Sequence, residues 1–493
     1  MKKRTLPLTL SMLLFSGHLA YAGPVDTFEQ DYQKIAETTL DATKALSLFS
    51  EREITVKGDA RSENIADFEA NSAINFNENE RLSVKEIGEV VFTNYAADKG
   101  VATIISTSDY QLTSKKGDTQ SVLMTVKGVN TQSQIDRENL HYKFASQFPT
   151  ITLTNPDTDK RGVISVENFT VTGDYGFEED FSKLKDLKGH YQTGAITIDL
   201  EDDDRAAKVT VESLMLDSEI KNNAAYQKSV FEVNKLNVVS MDEGNPVANV
   251  SIDKIVYNAG AEMKDGAPYV YGDFTLTDLK VAPVERTIEA SFGDITLDFR
   301  ATPLAADIFN KLAYGNDSIE GLNDYSASFG LLKDYLVEGS TLEVRLNGEH
   351  SGYNTKQLLT LTPKMALIEK LSTVNMADDD AMGELFAGLS FFEFIEQYMD
   401  EIKVDLSLQK NYIIEFGSNI LLASGEAENM DAARRQMKDF YQQFQLMAML
   451  INAETSVVEF VEDGVRVQIQ YKDKVWYVNG KEFDLELISA LLG

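Results

Sequence analysis

The sequence predicts a β-rich α+β protein: a long antiparallel, curved and bulged sheet, with helices packed near the N-terminus and in the C-terminal third. Three observations carry this. Between Ile164 and Phe299 one apolar rhythm recurs six times: two apolar residues spaced by two, a polar pair, then two more spaced by two. On either side of it lie short alternating segments divided by turn residues, the sign of strands buried on one face. Two stretches, 26–48 and 429–451, carry apolar residues among polar ones at helical spacing.

The six copies are Ile164/Val166/Phe169/Val171, Val209/Val211/Leu214/Leu216, Phe231/Val233/Leu236/Val238, Val250/Ile252/Ile255/Tyr257, Phe274/Leu276/Leu279/Val281 and Ala290/Phe292/Ile295/Leu297. Each half alternates with period two, and the step of three between halves shifts the phase by one residue. A bulge at the polar pair would return the second half to the same face. The spacing between copies varies, so they are similar strands and not a solenoid repeat.

In chain order, residues 1–22 read as a secretory signal peptide. Lys2, Lys3 and Arg4 precede the apolar run Leu6 to Phe15, and Ala20-Tyr21-Ala22 is a small-residue cleavage site. Cleavage is expected after Ala22; an uncleaved anchor is the alternative, though the run is short for a bilayer span. Residues 23–50 follow as an N-terminal helix, with Asp26 or Thr27 as cap. Residues 51–300 are expected as an extended antiparallel β region. It starts with short strands at Ile54–Val56, before Lys57-Gly58-Asp59, then Ala73–Phe76, Val90–Phe92, Val101–Ile105, Tyr110–Thr113 and Val122–Val126, with Lys116-Gly117-Asp118 as a turn. A strand at Phe148–Leu153, a loop from Asn155 to Gly162, a short helix within Phe177–Lys188 and a strand at Ala195–Leu200 come next. Residues 301–455 are a mixed helical region with short strand pairs. Thr302, Pro303 and Gly315 frame a helix, and a second covers parts of Ile319 to Val337. Strands at Thr341–Leu346 and Gln357–Leu361 follow, with Asn347-Gly348 near their turn. Asp378–Ile402 reads as a helix, and Val404–Leu408 and Tyr412–Phe416 as strands. The long helix Asn429–Ile451 places Met430, Met437, Tyr441, Phe444, Met447 and Met449 on a stripe expected to pack on the sheet. Residues 456–493 form a β-meander (Val457–Val461, Val465–Tyr471, Val475–Val478) and a last helix capped by Asp484.

Composition narrows the function classes. The formal charge is −33, and loss of residues 1–22 would take it to −36. Such a surface repels nucleic-acid phosphates. The chain has no cysteine, so thiol nucleophiles, thiolate zinc sites and lipid attachment through a cysteine are excluded. His141, His190 and His350 are far apart in sequence, and no zincin, Gly-x-Ser-x-Gly, phosphate-loop or dinucleotide motif occurs. Asp157-Thr158-Asp159-Lys160-Arg161-Gly162 begins like a calcium loop, but Arg161 replaces a ligand and Asn168 stands where a bidentate Glu is needed. Neither a cofactor nor a metal site is expected.

The segment from the long helix through Tyr477-Val478-Asn479-Gly480-Lys481 to the helix at Asp484 resembles the C-terminal end of the YdgA-like family of bacterial cell-envelope proteins. The resemblance implies an envelope role and supplies no catalytic residues; family members usually keep an N-terminal anchor, from which Ala20-Tyr21-Ala22 departs. The bulged strands also look similar to the groove-shaped sheets of AsmA-like lipid-handling proteins. The expectation is therefore a periplasmic or secreted, non-catalytic envelope protein with no membrane span after cleavage. Its sheet would bind a lipid or other apolar ligand on a face lined by Phe169, Leu214, Leu236, Ile255, Leu279 and Ile295. If helices 303–337 and 429–451 cover that face, the same six residues are core. The alternatives are a surface module that binds other envelope proteins through sheet edges and an uncharacterised hydrolase.

Overall fold

The computed structural model describes residues 23–44, 51–77, 79–96, 99–116, 119–154, 160–202, 205–222, 225–242, 245–283, 289–309, 335–373, 389–455 and 457–483. The signal segment, residues 155–159 of the calcium-like loop, Gly315, most of 319–337, Asp378 to Gly388 and the helix at Asp484 lie outside them; Lys160 to Gly162, expected in that loop, are strand paired with Leu200 to Asp202. The described residues form antiparallel sheet with helices, as the sequence predicts. The chain divides into two compact units, Met1–Asn245 with Phe309–Glu320, and Pro246–Ile308 with Gly321–Gly493.

The first unit opens with α1 (Pro24–Lys44) and a meander of β1 (Glu51–Ser62), β2 (Ile65–Asn77), β3 (Glu80–Ala96), β4 (Lys99–Lys116) and β5 (Thr119–Asp136). These strands are far longer than the short segments expected. β1 does not end at Val56: it runs straight through Gly58, whose missing side chain leaves room for Val25 and Glu29 of α1. Beyond β5 the sheet divides into two lanes of half-strands. One lane holds β6 (His141–Gln147), β9 (Thr170–Glu178), β10 (Lys183–Thr193) and β13 (Ser213–Lys221). The other holds β7 (Ile151–Thr154), β8 (Lys160–Val166), β11 (Ile196–Asp202) and β12 (Arg205–Val211). The long strands β5 and β14 (Tyr226–Asp242) each pair with both lanes. The expected helix at Phe177–Lys188 is a hairpin. Three consecutive left-handed residues, Glu179, Asp180 and Phe181, turn β9 into β10, and Phe177, Phe181, Leu184 and Leu187 are buried in the core.

The phase slips mark the crease between lanes. Asn168 (φ 50°) separates β8 from β9, and Lys235 (φ 48°) sits inside β14. Glu212 separates β12 from β13 and donates its backbone N–H to Asn234 O at 3.0 Å. A left-handed residue re-aims the strand while its neighbours continue the ladder in unchanged register, so these slips are not the two-against-one bulges expected at the polar pairs: both strands give up one residue at the same level.

The second unit holds β15 (Asn245–Lys264), β16 (Ala267–Pro283), β17 (Ala290–Ser291), β18 (Asp294–Leu304), β19 (Leu336–His350), β20 (Tyr353–Pro363), β21 (Met399–Gln409), β22 (Glu459–Val461), β23 (Gly464–Lys472), β24 (Val475–Val478) and β25 (Lys481–Phe483). The slip recurs here: Asp253 and Asp278 (φ 51°) drop out of the β15–β16 ladder, and Gly293 (φ 66°) divides β17 from β18. Among the described residues four helices accompany the sheet: α2 (Met365–Thr373), α3 (Phe391–Tyr398), α4 (Lys410–Ala423) and α5 (Met430–Thr455).

Several expectations fail locally. Thr302-Pro303 does not start a helix; it lies in β18 as a cis peptide, opposite β19, where Ser340 donates to Pro303 O at 2.7 Å. Val337 is strand. The β19–β20 turn is Ser351-Gly352, not Asn347-Gly348, because Gly348 lies inside β19 beneath Tyr412. Met399–Ile402 is strand, preceded by α3 with a Ser390/Glu393 capping box. Tyr412–Phe416 is helix: its alternation looks like a strand, but the buried residues continue to Ser418, Asn419 and Leu422, and Ser418 bonds Ile414 O four residues back.

Candidate functional site

Both units share one construction: an antiparallel layer, apolar on one side and polar on the other. In the first unit, β1–β6 and the lane led by β9 bury that apolar side under α1. Phe28, Tyr32, Ile35 and Ala36 are fully buried against Phe68, Val84, Phe92 and Ile104. Buried charge ties the helix down. Asp31 accepts two hydrogen bonds from Arg137 at 2.6 and 2.7 Å and a third from Tyr95. Burial opposes the Arg137 charge, but Asp31 outweighs it and the Arg137 pKa is raised. Lys34 pairs with Asp180, and Arg137 reaches the same carboxylate at 2.9 Å. Glu86, inside the core, accepts from Tyr32 at 2.9 Å and Ser106 at 2.5 Å; burial pushes its pKa up to about 7 despite both bonds.

The second lane of the first unit is more open. Leu153, Ile164, Ile198, Val209 and Val238 oppose one another in one row, each half-buried. Of the predicted lining residues, Phe169 is not open: it is 8 % exposed and packs in a tilted ring contact on Phe148 with centroids 4.9 Å apart. It sits at the crease where the sheet still faces the covered core. Leu214 is half-buried opposite Val233, and Leu236 half-buried beside the left-handed Lys235.

In the second unit, Ile255, Leu276 and Ile295 form one row, while Leu279 opposes Ile252 and packs against Phe292 and Leu422. The structure thus brings Ile255 and Ile295 together. Two further rows lie beside them. One runs Tyr257, Phe274, Leu297, Leu346, Gln357, Leu406, Val467; the other runs Ala259, Gly272, Phe299, Val344, Leu359, Val404, Ile469. The helices stand at the ends of these strands. α4 lies over Gly348, through Tyr412, and against Ala290 and Phe292. α2 and α3 lie over Leu361, Ile402, Tyr471 and Trp476. Gly348 and Leu361 belong to rows six residues apart, about 20 Å along the strands. Between them the floor is half-buried, with Leu297 at 41 % and Tyr257 at 45 % exposure. α5, expected against the sheet, packs on α4; Tyr441 is buried there, but Met447 and Met449 are exposed.

The opposite side of this sheet is polar and internally paired. Asp273, Asp298, Arg345, Leu358, Asp405 and Gln468 form one cross-strand row, polar but for Leu358. Arg300 reaches Asp273 at 2.5 Å, and Gln468 donates to Asp405 at 2.6 Å. Burial, then the neighbouring Asp273, raises the Asp298 pKa. The layer therefore has a solvated back and an apolar front.

Catalytic geometry is thin. His141 and His190 each meet one carboxylate, Asp174 at 3.1 Å and Asp217 at 2.7 Å, on the polar side. His350 joins the β19–β20 hairpin to α4, contacting Ser351 at 3.2 Å and Asn419 at 3.4 Å, while Asn419 also accepts from Ser291 N–H. Among the described residues no group of three His, Asp or Glu is placed to hold a metal ion. A shallow concavity of about 770 Å³ on the first unit's outer side is lined by Lys57, Asp59, Glu69, Ile87, Ile105, Thr107 and Gln132. Its mixed polar lining suits no reaction class in particular.

Sequence reading missed the floor rows of β19–β23. Their signal was present in the alternation of Leu342/Val344/Leu346, Val404/Leu406/Leu408 and Val465/Val467/Ile469. It missed the Asp31–Arg137 and Glu86–Tyr32 partnerships altogether, since the partners stand 106 and 54 residues apart. Comparison with known proteins found no family model that matches the chain and no curated protein that matches it in sequence. Among the described residues no helix is long and apolar enough to cross a membrane.

Proposed function

We propose that the chain is an exported, non-catalytic cell-envelope protein that holds a lipid or another apolar ligand against the front of the second unit's sheet. The observation that carries this reading is the two rows through Leu346 and Leu359, apolar but for Gln357 and half-buried between α4 at one end and α2 and α3 at the other. Covering about 300 Å² of such surface is worth roughly 7 kcal/mol before ordering costs. The export-type N-terminus and the resemblance of residues 429–493 to the YdgA-like family support the envelope placement.

The test is extraction of natively purified protein with organic solvent, followed by displacement of the dye N-phenyl-1-naphthylamine by fatty acid. Wild type should release lipid and brighten the dye. Leu346→Glu combined with Leu406→Glu should abolish both while the far-ultraviolet dichroism is unchanged. Clean protein with no dye binding sinks the proposal.

A second reading, a module that binds other envelope proteins, has one observation in its favour. Among the described residues β1 pairs with β2 alone. Its other edge offers backbone groups over twelve residues, with Gly58 N–H taken by Glu29.

A further inference from the structure

The second half of α5 is unlike the rest of the chain. Its first half is an ordinary partner of α4: Arg434 grips Glu415 at 2.7 and 3.0 Å, Met437 fills the space left by Gly417, and the Lys410 ammonium lies 5.5 Å from the Tyr441 ring centroid. Lys410 is the first residue of α4. From Tyr441 onward α5 continues to Thr455 with no more of α4 beside it, a further run of about 20 Å. Asn452 closes this end by accepting from Val458 N–H at 2.7 Å.

The run beyond Asp439 is uncharged as far as Glu454, in a chain that is 25 % charged. Phe440, Leu446, Met447, Met449 and Leu450 are between 56 and 75 % exposed, while Tyr441 and Ala448 are buried. At 100° per residue the five exposed side chains span an arc of about 180° opposite the buried pair. This is a convex ridge of long, flexible apolar side chains, not a groove. Arg435 and Lys438, exposed one to two turns earlier, supply cations beside it.

We infer that this half of α5 is a membrane-contact ridge that enters the interface of a zwitterionic phospholipid bilayer. Charge selects this occupant. A second copy would press two chains of net charge −33 together. A neutral bilayer carries no such repulsion, receives Met, Leu and Phe at the acyl boundary, and offers phosphates to Arg435 and Lys438. The inference stands on α5 alone and does not depend on what the sheet binds.

Flotation of the purified full chain with phosphatidylcholine vesicles tests it, alongside Leu446→Gln/Met447→Gln/Leu450→Gln. All three positions are exposed, so the variant should keep the wild-type melting temperature. Wild type should float, and the variant's partition should fall at least tenfold. A separate Leu450→Trp chain reads the site locally: its added emission should shift to the blue with vesicles. Replacing half the lipid with phosphatidylglycerol should weaken binding at low salt. Equal flotation of wild type and triple variant, an unshifted Leu450→Trp spectrum, or a soluble dimer that the triple variant dissociates would each overturn the inference.

Discussion

The two units treat the same one-sided sheet in opposite ways. In the first, α1 closes the apolar side so completely that Phe28, Tyr32 and Ile35 have no exposed surface, and ionisable groups are buried with them. In the second, the described helices stand at the strand ends, and the floor between them stays half-buried, with the charged side chains of the Asp273–Gln468 row on the back. A covering helix brings aromatic rings and charge pairs, because a closed, water-free space must satisfy every polar group it takes in. An uncovered floor is built from Leu, Val and Phe whose partial exposure costs little. The covered region should therefore respond to mutation through stability, and the uncovered one through ligand binding.

The largest expected effect lies at Arg137. Arg137→Met leaves Asp31 buried with Tyr95 as its remaining donor. Loss of one partner from a buried pair costs about 3–5 kcal/mol. Urea unfolding should show a loss of that size, and replacing both partners, Asp31→Leu with Arg137→Met, should recover much of it. If the single variant costs under about 1 kcal/mol, α1 is not clamped as described.

Glu86 gives a pH signature. Its pKa is about 7 in the fold against an ordinary value of 4.5. Between those values the folded chain binds more protons than the unfolded chain, so stability falls as pH rises through the window and is flat above about pH 7. The difference amounts to roughly 3 kcal/mol. Glu86→Gln keeps the acceptor for Tyr32 and Ser106 and removes the charge. Its stability relative to wild type should rise by about that amount between pH 4.5 and 7.5. A pH-independent difference would place water at the Glu86 carboxylate.

On the uncovered floor the expected stability effect is smaller. Leu406→Ser should cost about 1–2 kcal/mol, since the side chain is already partly wet. Dye capacity should drop several-fold. The same exchange at the covered Ile104, as Ile104→Ser, should cost more than twice as much and leave dye binding intact.

What the sequence made legible follows from range. Period-two alternation and the slip at each polar pair are local, and they located the strands from β8 to β18 except β10, whose start was expected as helix, together with the places where the strands change direction. The ends of elements were less legible, because Pro303 and the dipeptide Asn347-Gly348 carry the same local signals in a strand as in a cap or turn. Tyr412 to Phe416 alternates like a strand over five residues and becomes a helix only when read on to Leu422. Of the six lining residues named from the rhythm, Phe169 turned inward because the apolar side continues from the crease toward α1, a neighbour more than 120 positions away. Nothing in a single stretch of sequence reports which part of an apolar side receives a helix.

The smallest expected effect tests the crease itself. Lys235 holds φ 48° inside β14, and its ion pair with Glu212 is exposed at 2.8 Å, worth about 0–1 kcal/mol. A side chain in the left-handed region costs about 1 kcal/mol relative to glycine. Lys235→Gly should therefore be neutral to about 0.5–1 kcal/mol stabilising, an unusual result for glycine inside a strand, where it ordinarily destabilises. Lys235→Val should cost about 1–2 kcal/mol, because a β-branched residue suits an extended strand and is strained at positive φ. If valine is tolerated better than glycine, Lys235 is ordinary strand in solution. The phase slips would then be accidents of composition, with no hinge line between the halves of these strands.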